Sequence, residues 1–163
     1  MSKQTTLCYL TRGDEMLFIV KGDTPKNRSN MNAGKYLGVG GHMEEGETPY
    51  ECAVREIYEE TSIKLSEMKD FRLRGICSFI NDMCDDETMY VYMGEYTGDK
   101  NPCPGSCDEG ILTWVNRENI KNVPTWEGDK AIFEELLNPV NTGVFELKLI
   151  YHGNDLIEAK KIF

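Results

Sequence analysis

No stretch of this chain approaches the ~20 consecutive apolar residues that a membrane-spanning helix needs. Its polar start, Met1 to Thr6, lacks the apolar core of a secretory leader, so a cytoplasmic protein with no membrane partner is expected. Cations are in the minority. There are 18 Lys and Arg against 28 Asp and Glu, a formal net charge of −10. Polymeric DNA and RNA are bound through clustered cations, so a nucleic-acid polymer is not the expected partner. A small phosphate ligand is still compatible with an acidic chain when divalent cations bridge the two. Only two histidines occur, His42 and His152. A zinc site at Cys103-Pro-Gly-Ser-Cys107 would have to borrow one of them, and a second ligand pair at the usual spacing is missing. The six cysteines do not read as a disulfide framework in a signal-free chain of this length. Cys8, Cys52 and Cys77 lie in apolar or helical surroundings and read as small core hydrophobes.

What is present suits one globular domain over 1–163. The length buries a core without staples, and 40% hydrophobic with 28% charged residues is ordinary for a soluble fold. Thr5–Leu10 and Glu15–Lys21 read as a hairpin around Arg12-Gly13-Asp14. Gly22–Gly34 reads as a loop. Lys21, Lys26, Arg28 and then Lys35 give it a local basic excess, and we place Lys35 at the substrate. Tyr36–Val39 is a short strand running into Gly40-Gly41. Thr48 as N-cap, Pro49 and Glu51 open a helix that runs to about Thr61. Strands are expected at Arg72–Ile80, Thr88–Tyr96 and Ile111–Val115, with an acidic turn over Asn81–Glu87 and a Pro/Gly/Cys turn over Asn101–Asp108. A short helix follows at Asn116–Asn122 and a longer one at Asp129–Leu137. Alternating Phe145, Leu147, Leu149 and Tyr151 lead into a closing hairpin at His152-Gly153-Asn154. This order implies a mixed sheet with helices on both faces and leaves the strand order open.

Chemistry concentrates in Gly40–Ile63, GGHMEEGETPYECAVREIYEETSI. On a helical wheel Glu56, Glu59 and Glu60 share an arc of roughly 100°. Tyr50, Ala53, Val54 and Ile57 share the adjacent arc and are expected in the core. Three glutamates alone read most simply as a solvated acidic face. The glycine pair, the cap, Glu47 and Arg55 at fixed offsets shift that balance toward a hard-cation site for Mg²⁺ or Mn²⁺. Arg55 lies beside the acidic arc, where it can pair with Glu47 or a neighbouring Glu and fix carboxylate orientation. Gly40 and Gly41 allow a sharp bend that brings a carbonyl to the metals.

The segment resembles the Nudix box at Gly41, Glu47, Arg55, Glu56, Ile57, Glu59, Glu60 and Ile63, with Ser62 standing where that family has glycine. The resemblance implies an α/β/α sandwich around a mixed sheet, in α/β (α+β) class terms. It also implies Mg²⁺-dependent hydrolysis of a nucleoside diphosphate linked to another group. Glu56, Glu59, Glu60 and the Gly40 carbonyl would hold the metals. Arg55 would orient Glu56 with Glu47 as its partner. Glu109 would be the distant acidic residue, metal ligand or base, with Asp108 and Glu87 as competitors. The family's helix-ending glycine suggests positive φ at Ser62.

Outside the box, CYLTRGDEMLFIVKG, GKYLGVGGHMEEGET and VPTWEGDKAIFEELL are similar to MutT-type pyrophosphatases that sanitise oxidised purine nucleotides such as 8-oxo-dGTP. That likeness places Trp126 and Asp129 in the base pocket, Trp126 stacking and Asp129 bonding the base edge. Each also has a structural reading, as a core aromatic and a helix cap. Leu37 stands where some relatives use an Asn to read the base, so it packs without a side-chain hydrogen bond. Hydrolysis of another nucleoside diphosphate derivative, such as an ADP-sugar, and a non-catalytic nucleotide sensor are the alternatives. Monomer and homodimer are both open.

Overall fold

The computed structural model describes residues 3–22, 25, 28, 32–99 and 110–163. β1 (Lys3–Arg12) and β2 (Glu15–Val20) form the expected hairpin, but they pair only at its tip, Thr11 with Met16 and Arg12 with Glu15. A later segment fills the space between them. β3 (Tyr36–Leu37) pairs with β2, and the chain then crosses to β1, where Val39 and His42 bridge Cys8 and Thr5. The rest of the order is α1 (Pro49–Thr61), β4 (Met68–Asn81), β5 (Glu87–Tyr96), β6 (Ile111–Asn116), a 3₁₀ turn at Arg117–Asn122, α2 (Asp129–Leu136), β7 (Phe145–His152) and β8 (Asp155–Lys161). The sheet runs β3-β2-β1-β5-β4-β7-β8, with β6 also on β2. β1 with β5 and β4 with β7 are parallel and the remaining pairs antiparallel, so the sheet is mixed as expected. No described helix is long and apolar enough to cross a membrane.

Period-two patterning sorts each strand's side chains onto two faces. Tyr9, Met16, Phe18, Val91, Phe145, Leu147, Leu149 and Tyr151 join Ile132, Phe133 and Leu136 of α2 in one core cluster. Cys8, Leu10, Leu17, Val39 and Tyr92 join Ala53 and Ile57 of α1 in the other. One helix therefore packs on each face, which is the sandwich the sequence implied.

Three expectations need adjusting. β4 starts at Met68 rather than Arg72, because Asp70 adopts positive φ (54°) and the pairing with β5 slips between Lys69 and Arg72. Such a bulge breaks the alternation that a sequence reading follows. Much of the loop expected at Gly22–Gly34 lies outside the described residues, and Pro25 and Arg28 within it are helical. On α1 the buried stripe is Cys52, Ala53, Ile57 and Thr61 with Glu60 at its edge, whereas Tyr50 is exposed. The Asn101–Asp108 turn and the Cys103/Cys107 pair lie outside the described residues.

α1 carries both halves of its capping box, Thr48 accepting from the Glu51 N–H and Glu51 from the Thr48 N–H. It ends at Ser62 with φ 63°, the left-handed conformation expected there. A Cβ is disfavoured in that region. Ser62→Gly is accordingly expected to stabilise the protein by roughly 0.5–1 kcal/mol, about 2–4 °C in Tm. Thermal melting checks this, and a lower Tm would show that the serine side chain holds the helix end.

Candidate active site

Arg55 organises the acidic end of α1. Its Nε and Nη2 donate to the two oxygens of Glu47 at 2.7 and 3.0 Å, a bidentate pair. Nη1 donates to Glu56 at 2.9 Å and to Glu59 at 3.2 Å. Nη2 also reaches the His42 carbonyl at 3.2 Å. The partner expected for Arg55 is therefore present, and one guanidinium gathers three of the site's glutamates. Its hydrogen bonds to Glu47 first, then to Glu56, hold it charged well above the ordinary arginine range. The same bond, helped by the Glu44 N–H, lowers the Glu47 carboxyl to about 2 against the opposing effect of burial.

The glycine turn meets this cluster from β1. Val39 exchanges hydrogen bonds with Cys8, and the Gly41 carbonyl accepts from the Thr6 N–H at 2.9 Å. Along an extended chain, residues alternate between facing a neighbouring strand and facing away. By that alternation Gly40, between Val39 and Gly41, would turn its N–H and carbonyl away from β1. Its N–H donates to Glu60 at 3.3 Å, which places the buried Glu60 carboxylate on that side. Gly40 is required sterically by the β1 backbone, whereas a side chain at Gly41 would displace the Glu56 carboxylate. A Cβ on Gly40, at φ 156°, would stand 2.0 Å from the Thr6 carbonyl oxygen, and one on Gly41 would stand 2.6 Å from a Glu56 oxygen. Glu56 and Glu60 therefore both reach the Gly40–Gly41 backbone.

A hard divalent cation suits this donor set of carboxylates and a carbonyl. Among the described residues, no three Asp, Glu, His or Cys side chains are placed so that they could hold a metal ion as they stand. Glu56 and Glu59 are engaged with Arg55, and Glu59, with its side chain 54% exposed, is the one with room to turn inward.

The second group lies on the α2 face. Trp126 Nε1 donates to Asn32 at 2.9 Å, and the indole meets Phe79 and Tyr151 edge-on. Lys35 Nζ stands 4.9 Å from the Trp126 ring centroid, a cation–π contact. Asp129 is buried at the first turn of α2. Burial raises its carboxyl to about 7, against a backbone hydrogen bond at Trp126 and the charge of Lys35. Three of the four residues expected at the base, Lys35, Trp126 and Asp129, are thus neighbours. Leu37 is not with them. It pairs with Ile19 on the Leu17 side of the sheet, whereas Tyr36 packs on Phe18 and shares the face of Trp126. Sequence reasoning also missed Leu7, Phe79 and Met89, half-buried on this same face. The alternation of β1, β4 and β5 was the signal that could have found them.

Glu109 and Asp108 lie outside the described residues. Glu87 accepts from the Thr5 hydroxyl at 3.4 Å and pairs with Phe79, so it stands on the Trp126 face, across the sheet from α1. A cavity of about 190 Å³ between the β1–β2 turn, Arg117 and Leu136 contains none of these residues.

Comparison with known proteins identifies the family. The NUDIX domain profile matches residues 1–136. The uncharacterized Nudix hydrolase YvcI of Bacillus subtilis (strain 168) is 27% identical over 140 residues, 83% of this chain and 79% of that protein. The crystal structure of a MutT protein from Bacillus halodurans aligns with a TM-score of 0.78 at 24% identity, over 98% of this chain and 97% of its own. An Ap4A hydrolase from C. elegans aligns with a TM-score of 0.68 at 13% identity, over 83% and 95%. These two structures share the fold. With the profile spanning most of its length and the glutamate helix set against the glycine turn, the chain belongs to the Nudix family of hydrolases.

Proposed function

We propose that this enzyme hydrolyses a purine nucleoside triphosphate, of the 8-oxo-dGTP type, to the monophosphate and pyrophosphate with Mg²⁺ or Mn²⁺. The observation that carries the reading is the convergence of Lys35, Trp126 and a buried, protonatable Asp129. Glu56, Glu59, Glu60 and the Gly40 carbonyl would hold the cation. A divalent cation bound there neutralises phosphate charge and lowers the pKa of a water it holds. Arg55 keeps Glu56 and Glu59 aimed, and Glu47 keeps Arg55 in place. Glu109 is the proposed base that takes the proton from the attacking water.

The metals act on phosphates that all nucleotides share, so preference has to come from contacts to the base. Trp126 offers an aromatic face, worth roughly 1–3 kcal/mol per stacked base. Asp129, titrating near 7, carries its proton in mildly acidic solution and can donate to an acceptor on the base edge. A base without that acceptor leaves a buried polar group unpaired.

Trp126→Ala is expected to weaken all purine triphosphates together, mainly through KM. Asp129→Asn is expected to narrow the gap between preferred and poor bases. In the wild type that gap should shrink as pH rises through about 7, where Asp129 loses its proton, and the Asn variant should lack this dependence. The test is kcat/KM for 8-oxo-dGTP, dGTP, dATP and dCTP across that range. Unchanged ranking and magnitude in both variants would make the two residues structural.

A further inference from the structure

Two buried side chains beside the glycine turn have no part in the reading above. Thr6 on β1 and Cys52 on α1 are 3% and 0% exposed. Both point at one carbonyl. Gly41 O accepts from the Thr6 N–H at 2.9 Å, from Thr6 Oγ1 at 3.5 Å and from Cys52 Sγ at 3.6 Å. Thr6 Oγ1 and Cys52 Sγ stand 3.4 Å apart, and Arg55 Nη2 donates to the same sulfur at 3.7 Å. A single thiol thus touches the strand, the turn and the guanidinium that gathers the glutamates.

The consequence is geometric. The Gly40 carbonyl faces away from β1 only while its neighbours face toward it. On the Val39 side that direction is fixed by backbone bonds to Cys8. On the Gly41 side it is fixed by one backbone bond and the two side chains. Glycine has little steric resistance to rotation, so the turn depends on such bonds to keep its direction.

We propose that Cys52 and Thr6 are positioning residues: pinning the Gly41 carbonyl to β1, they fix how Gly40 presents its carbonyl to the cation. The inference rests on the metal-site reading above. Bonds to sulfur at these distances are individually weak, yet groups that orient metal ligands typically change metal affinity by 10–100-fold when removed. The thiol also accepts from Arg55 Nη2, so its loss acts on a carbonyl donor and on carboxylate orientation together.

The experiment is titration of the protein with Mn²⁺ followed by electron paramagnetic resonance, which reads binding without turnover. Cys52→Ala and Thr6→Val are expected to bind Mn²⁺ about tenfold more weakly, with an unchanged nucleotide KM at saturating metal. Cys52→Ser, which keeps a donor at that point, is expected to recover most of the affinity. Thr6→Val is nearly isosteric and stands in if Cys52→Ala does not fold. Wild-type Mn²⁺ affinity in folded Cys52→Ala or Thr6→Val overturns the inference. So does a Cys52→Ser protein as weak as Cys52→Ala, since side-chain volume and not the bond would then matter. If the wild type itself binds no Mn²⁺, the metal-site reading fails first and takes this inference with it.

Discussion

Glu60→Gln should yield a folded protein whose turnover has fallen by roughly 10²–10³-fold at saturating nucleotide. Glu60 is buried at the edge of the α1 core stripe, and its carboxylate accepts from the Gly40 N–H. Glutamine keeps the size and one acceptor oxygen, so packing against the turn survives. The negative charge that draws a divalent cation does not. Glu59→Gln should behave alike for a different reason. Its side chain is exposed, so the substitution leaves the core alone and removes the carboxylate proposed as a ligand. Phosphate-product release with Mg²⁺, measured beside thermal melting, separates lost chemistry from lost fold. Wild-type turnover in either folded variant would remove these carboxylates from the mechanism.

The next largest effect is expected at Arg55. Arg55→Ala releases Glu47, Glu56 and Glu59 at once and leaves like charges facing one another on α1. The pair with Glu47 is bidentate and three-quarters shielded on the arginine side. Its loss should destabilise by roughly 2–3 kcal/mol and lower turnover through misaimed carboxylates. Arg55→Lys should recover little, because an ammonium cannot reproduce the two-pronged contact while also reaching Glu56. The acid limb of stability adds a second readout. Glu47 titrates near 2 in the folded protein, below its ordinary value of 4.5. A depressed carboxyl stabilises the fold above its unfolded pKa, and that contribution is lost as pH falls through the folded value. Wild-type Tm should therefore drop between about pH 4.5 and 2. In Arg55→Ala that part of the drop should be absent. An equally steep acid limb in both proteins would mean that Glu47 owes its acidity to something other than Arg55.

How far the sequence could be read depended on whether an interaction was local. The α1 cap follows from spacing within one helical turn, and the left-handed end at Ser62 and the pairing of Arg55 with Glu47 are what the family resemblance of the same short segment implies; all are present. The wheel placed Glu56, Glu59 and Glu60 on one arc but not at one depth. Glu60 lies under the glycine turn and Glu59 stands in solvent, because what covers the helix comes from β1 and from Val39–His42. That crossing between β2 and β1 has no local signature, since Tyr36–Val39 reads simply as a short strand. Leu37 was misplaced for the same reason, as its face is set by the pairing with Ile19. The β4 bulge at Asp70 broke a period-two pattern and shortened the strand on paper. Lys35 and Trp126 are 91 residues apart, and their contact depends on β3 and the Pro124 backbone coming together, where Tyr36 N–H meets the Pro124 carbonyl at 2.8 Å.

The proposed activity is metal-dependent pyrophosphate hydrolysis at the α1 glutamates, with a base preference set at Trp126 and Asp129. The most direct test is chromatography of the products formed from 8-oxo-dGTP, dGTP, dATP, dCTP, ADP-ribose and diadenosine tetraphosphate, with Mg²⁺ and again with EDTA: monophosphate and pyrophosphate from the triphosphates, AMP and ribose 5-phosphate from ADP-ribose, and mononucleotides from the dinucleotide. The expected result is activity that EDTA abolishes, with purine triphosphates turned over ahead of the pyrimidine triphosphate and the other two substrates. Full activity in EDTA would contradict the metal site, and a clear preference for ADP-ribose or the dinucleotide would contradict the base pocket.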